Sequence, residues 1–205
     1  MGQPKIGSHL LNAMTKRIAD MKWPAVIAIL MALAPVSVLA EGTKIEYNRS
    51  EWTHWIQDDD NCQDLRQEVL IEESIITPIT TLDGCKVQRG LWWDLFTGAY
   101  FSDPTELDID HLVPLKEAHL SGGWQWDHDK KRNYANSVDY AHHLVAVSRS
   151  ANRSKGSKDP ARWLPPNKQA HCWYVHAWMR VKKRWALDID KQEREAIDLV
   201  IKNQC

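Results

Sequence analysis

The sequence predicts an α+β domain. Apolar residues recur at helical spacing in several segments, most clearly 167–184 and 189–203. Two short runs rich in β-branched residues, Ile109–Val113 and His143–Val147, read as strands. Between the first helix and these strands, Pro78, Gly84, Gly90, Gly98 and Pro104 break residues 76–107 into turns and short strands. Taken in order, residues 61–75 (NCQDLRQEVLIEESI) join helical apolar spacing to strong helix formers and predict a helix. The strand at 109–113 is ended by Pro114, and Leu115–Leu120 is one helical turn stopped by Gly122 and Gly123. Residues 127–136 (DHDKKRNYAN) predict a polar helix with Asp127 near its N-cap. The strand at 143–147 passes into a helix through the 150s, capped by Ser148 or Ser150. An amphipathic helix spans 167–184, and Asp188 or Asp190 introduces the last one at 189–203.

A chain of 205 residues, 43% apolar and 26% charged, is one domain or one domain plus a removable segment. It is too rich in hydrophobes and aromatics for a disordered chain. It shows no repeat of the kind that builds solenoids or propellers. The removable segment is the N-terminus. Residues 25–34 (AVIAILMALA) are unbroken apolar residues, too short a run to span a bilayer, which takes about 20. Lys16, Arg17 and Lys22 precede the run, and Val38 and Ala40 suit the −3 and −1 positions of a cleavage site. Residues 1–40 therefore predict a signal peptide cut after Ala40, with Met21 as an alternative start. The mature domain is 41–205, exported to the periplasm or the outside, with no stable membrane association once the signal is removed.

Cys62, Cys85, Cys172 and Cys205 all fall in that mature part, and an even count in an exported chain predicts disulfides. Three pairings are open; the sequence-local one, Cys62–Cys85 with Cys172–Cys205, is preferred. Each bridge would contribute about 3–4 kcal/mol by restricting the unfolded chain. A zinc site is the rival, weakened by the lack of a C-x-x-C pair and kept alive by Cys172 and His176 at helical i, i+4 spacing. Charge is segregated. Residues 41–127 hold six basic and eighteen acidic residues, whereas 128–184 hold thirteen basic and three acidic. A total of −1 thus hides a basic block suited to phosphate, or equally a solvated face paired with the acidic half.

The chemistry concentrates in two stretches, DIDHLVPL at 108–115 and LVAVSRSANRSKGSK at 144–158. Asp110 and His111 are neighbours on a strand, so their side chains start on opposite faces, and a twisted strand end or bulge is needed to make them converge. A carboxylate from Asp110 and an amide carbonyl from Asn152 are hard oxygen donors for a divalent ion. Arg153, Lys155 and the helix N-terminus bring positive charge.

The order D-x-D-H-x-V-P at 108–114, then L-V-x-V-S-x-x-x-N-R-x-K-G at 144–156, resembles the HNH, or His-Me finger, nuclease motif. With GCKVQRGLWWD, DIDHLVPLKEAHLSG, RNYANS and DPARWLPPN, the chain from about residue 60 to 205 resembles the secreted HNH endonucleases. These are grouped with the C-terminal domain of GmrSD-type restriction endonucleases. The resemblance implies a ββα-metal module embedded in a mostly helical, disulfide-braced domain. It implies His111 as general base toward an attacking water and Asp110 with Asn152 as ligands of one divalent cation, magnesium or manganese. Asp108 would orient a water or hold His111, while Arg153 and Lys155 would meet the phosphate backbone. Apart from the resemblance, Arg132, one helical turn before Asn136, is read as a further phosphate contact. Where the family commonly reads A-N-D this chain reads Ala135-Asn136-Ser137, so a supporting carboxylate is missing. The expected function is an exported, metal-dependent endonuclease cutting DNA with low sequence specificity. RNA is a further possible substrate, because ion and base address phosphate rather than sugar. The alternative is a non-catalytic exported nucleic-acid-binding protein using the basic block 128–184.

Overall fold

The computed structural model describes residues 46–57 and 62–205, within the compact unit Gly42–Cys205. The expected signal peptide and its cleavage site lie outside the described residues. The order is α1 (Leu65–Glu72), β1 (Ile79–Thr80), β2 (Val87–Arg89), β3 (Trp92–Asp94), β4 (Ala99–Phe101), β5 (Leu107–His111), α2 (Leu115–Leu120), α3 (His128–Ala135), β6 (Leu144–Ser148), α4 (Arg149–Lys155), α5 (His171–Arg184) and α6 (Lys191–Gln204). The chain is α+β, with each strand in a two-stranded antiparallel pair: β1 with β2, β3 with β4, β5 with β6. Among the described residues no helix is long and apolar enough to cross a membrane.

Helix starts follow side-chain capping. Asp64 accepts from the Gln67 N–H, Asp127 from Lys130, and Ser148 from Ala151. At α6, Asp190 and Glu193 form a reciprocal capping box. The helix expected at 61–75 is shorter at both ends, because Asp64 caps it and Glu73 closes it.

The pair β5–β6 organises the interior. Its register sets Asp108 opposite Val147, Asp110 opposite Val145 and His111 opposite Leu144. Strand alternation sends Leu107, Ile109, Leu144 and Ala146 into one core with Leu65, Val69, Leu70 and Trp92. Val145 and Val147 enter a second core with Ala151, Tyr174, Val175, Trp178 and Ile197. The two-stranded pair is thus covered on both faces, and α4 folds back directly after β6.

Cys62 pairs with Cys85, and Cys172 with Cys205, which ties the end of α6 to the start of α5. Part of the basic block is committed to partners within the fold. Lys182, fully buried, donates to Glu117, Ser121, the Asp188 carbonyl and Glu193, and so joins α2, α5 and α6. Lys131 pairs with Glu51, Arg162 with Asp159, and Arg184 with Asp139.

One half-buried group, Glu73, and one buried group, His143, give the fold opposite pH dependences. Burial pushes Glu73, which accepts from the Ala146 N–H, up to about 7. Its contribution is fully present below the unfolded value near 4.5 and is lost as pH rises through about 7. Burial pushes His143 down to about 4. Its Nε2 donates to the Tyr134 carbonyl and its Nδ1 has no partner, so a second proton would be a buried, unpaired charge. That contribution is present above 6.5 and is lost as pH falls toward 4. Glu73→Gln keeps the acceptor oxygen and removes the charge. It should raise unfolding free energy at pH 8 by roughly 2–3 kcal/mol and change little at pH 4.5. Denaturant titrations with the disulfides intact would read this, and an equal effect at both pH values contradicts it.

Candidate active site

β5 ends at His111 where the chain turns toward α2, and α4 lies against β5 and β6. Their meeting forms a cleft of about 370 Å³. Asp110, His111 and Asn152 all line it, as do Arg153, Lys116, Tyr47 and Arg49. Strand alternation starts Asp110 and His111 on opposite faces, and the cleft reaches both because it lies across the strand's end.

His111 is 6% exposed, and its Nε2 lies 2.8 Å from the Ala135 carbonyl oxygen. A carbonyl only accepts, so Nε2 carries the proton and Nδ1 keeps its lone pair. Trp55 and Tyr134 lie beside the ring, with centroids 5.5 Å and 6.4 Å away. Burial, reinforced by the neighbouring His143, holds the imidazole well below 6.5, so it is neutral at pH 7. These are the properties of a proton acceptor: fixed tautomer, fixed orientation and a lone pair available at neutral pH.

Asn152 is the middle residue of α4, one turn after the Ser148 cap, and its Nδ2 donates to Asp108 Oδ2 at 3.0 Å. The Asp108 carboxylate only accepts, so the amide nitrogen faces it and the amide oxygen faces away. Asp108 also meets Arg149 at 3.5 Å. Its expected roles were to hold His111 or orient a water; the hydrogen bond that the fold gives it runs to Asn152, because strand alternation turns it toward α4.

Lys155 departs furthest from expectation. Foreseen on a substrate phosphate, it is fully buried, with Nζ 2.9 Å from Asp110 Oδ1, 2.8 Å from Oδ2 and 2.9 Å from the His111 carbonyl oxygen. The cause is its position at the C-terminal end of α4, where the side chain runs inward beneath the strand end. Burial raises Asp110 and lowers Lys155, and the attraction between them counters only part of each shift. Arg132 is not brought to the cleft either. It lines a second cleft with Ile56, Asn133, Asn136, Ser137 and Trp185. There Ser137, standing where the family commonly has an acid, is buried with a hydroxyl that meets no partner among the described residues.

The residues sequence reasoning missed are Arg49 and Tyr47, supplied by the segment before α1, and Lys116 on α2. Cys172, His176 and Cys205 bring three ligand atoms within 4.8 Å. Both sulfurs are in the disulfide, which removes the thiolates a zinc ion needs.

Buried His111 and Asp110 and the oriented Asn152 amide thus share a cleft that Arg49, Lys116 and Arg153 also line. The sequence model of the GmrSD restriction endonucleases, C-terminal domain, matches residues 41–198, and the chain belongs to that family. The family is one of nuclease domains. The chain is also 30% identical over 173 residues to an uncharacterized secreted protein of Arthroderma benhamiae, covering 84% of this chain and 82% of that protein. No solved structure matches.

Proposed function

We propose that this chain is an exported, divalent-metal-dependent endonuclease of the His-Me finger type that hydrolyses DNA phosphodiester bonds with little sequence preference. The observation that carries the reading is the shared cleft: Asp110, His111 and Asn152 line one wall system, with the imidazole locked so that Nδ1 is its basic atom. The succession β5, β6, α4, with Asp110 and His111 ending the first strand and Asn152 in the helix, supports the ββα reading. Two disulfides, and a relative named a secreted protein, support export.

A divalent ion fits the donor set. Asp110 Oδ2 is buried, and although 2.8 Å from Lys155 Nζ it receives no hydrogen bond, since the ammonium donates to Oδ1. Asp110 and Asn152 would hold the ion, with water completing its shell. Bound there, it would supply charge stabilisation at the phosphate oxygens and the leaving 3′-oxygen. His111 Nδ1 takes the proton of the attacking water. Asp108 keeps the Asn152 oxygen aimed, and Arg153 and Lys116 attract the nucleic-acid backbone to the cleft mouth.

With one carboxylate already facing an ammonium, cation affinity should be weak, on the order of 10⁻⁴–10⁻³ M. The test is supercoiled plasmid with the oxidised, signal-free chain, in magnesium or manganese and in chelator. Nicking that rises with ion over that range and stops in chelator is expected. Plasmid retained intact with either ion, or nicked equally well in chelator, overturns the reading.

A further inference from the structure

Residues 46–57 form a strap that reaches the cleft from outside the β5–β6–α4 unit, and it is anchored independently of Arg49. Trp52 is fully buried in the core, and Glu51 pairs with Lys131. Asn136 clamps the strap twice, accepting from the Ile56 N–H at 3.3 Å and donating to the Thr53 carbonyl at 2.7 Å. Arg49, itself exposed, projects from this strap into the lining of the cleft.

The partners of Arg49 are uncharged acceptors. His54 Nδ1 lies 2.8 Å from the Trp52 carbonyl oxygen and therefore carries the proton. His54 Nε2 then accepts from Arg49 Nη2 at 3.2 Å. Arg49 also acts on the Tyr47 hydroxyl, its positive charge countering the upward push of burial on that group. The His54 ring lies 6.3 Å, centroid to centroid, from the ring of His111. A guanidinium beside the basic residue, aimed by neutral groups and facing no carboxylate among the described residues, keeps its full charge for an anion. Its remaining N–H groups form a planar fork suited to two phosphate oxygens.

We propose that Arg49 grips a phosphate group of the nucleic-acid substrate in the cleft, oriented for it by His54 and Tyr47. This makes the strap part of the substrate site and assigns to Arg49 the backbone contact that sequence spacing assigned to Lys155. The proposal rests on the nuclease reading for its ligand, yet its test can be read without cleavage.

The probe is short fluorescein-labelled duplex DNA in magnesium, titrated with the His111→Ala chain and followed by anisotropy over a series of potassium chloride concentrations. Adding Arg49→Ala should weaken binding about ten-fold at low salt. It should also reduce the slope of log K against log salt by about 1. Arg49→Lys should restore the slope and only part of the affinity, since an ammonium cannot present the fork. Arg49→Gln should restore neither. A residue that only braces the strap would leave the slope unchanged. An unchanged slope in Arg49→Ala, whatever the affinity, overturns the proposal, as does a His111→Ala chain that binds no DNA at low salt. The two readings fail separately. If the wild-type chain cleaves nothing while Arg49→Ala shifts the slope, the phosphate contact stands and the nuclease reading falls. If the wild-type chain cleaves and Arg49→Ala binds and cuts as well, only the Arg49 assignment falls.

Discussion

His111→Ala is expected to lower plasmid nicking by 10²–10⁴-fold, the usual contribution of a positioned general base. The size follows from how the ring is held. Its Nε2–H is committed to the Ala135 carbonyl, and Trp55 and Tyr134 lie beside it. Burial keeps it neutral at pH 7. Little reorganisation therefore separates the resting ring from the one that takes a proton. The substitution also leaves the Ala135 carbonyl without its donor, costing about 1–3 kcal/mol of stability. Activity must therefore be compared at a temperature where both chains are folded by near-UV circular dichroism. Added imidazole should return part of the lost rate to the alanine variant, which a merely structural role for the ring does not predict. Nicking by the variant at the wild-type rate would remove His111 from the chemistry.

The largest expected effect on stability lies one residue earlier in the strand. Lys155→Met should cost about 3–5 kcal/mol, because it strands the Asp110 carboxylate in a buried position without its ammonium. Removing both charges, in Asp110→Asn with Lys155→Met, should recover most of that loss, since a buried ion pair contributes little beyond compensating its own desolvation. Denaturant unfolding of the four chains of the cycle measures the coupling. A Lys155→Met chain as stable as wild type, but weakened in DNA binding, would return Lys155 to the phosphate contact that its sequence position suggests.

Lys155 also illustrates where sequence reasoning ran out. The spacing N-R-x-K-G marks it as a charge close to the cleft, and it is close. A sequence reports charge and not burial, so a lysine under the strand end and a lysine at the mouth look alike. Arg132 was misjudged for a related reason: the turn of α3 is legible, but the direction in which that helix points its guanidinium is not. Arg49 carried no signal at all, being a lone arginine far upstream of the motif and recruited to the cleft by contacts of Trp52, Glu51 and Asn136 with distant segments. Asp108 is legible as part of the cluster, but its hydrogen bond to Asn152 is not, because that contact depends on how α4 folds back over β5.

Local chemistry accounts for what could be read directly. Capping at Asp127, Ser148 and Asp190, the boundaries of Leu115–Leu120 and the α+β class rest on residues near one another in the chain, and the candidacy of Asp110, His111 and Asn152 rests on two short local motifs; the strand expected over 109–113 instead runs Leu107–His111 and ends before Pro114. The tautomer of His111, the sealing of Lys155 against Asp110 and the arrival of Arg49 arise from groups far apart in sequence. Each depends on which side chains are shut away from water and which are left facing the cleft, a property that exists only once the chain has closed on itself.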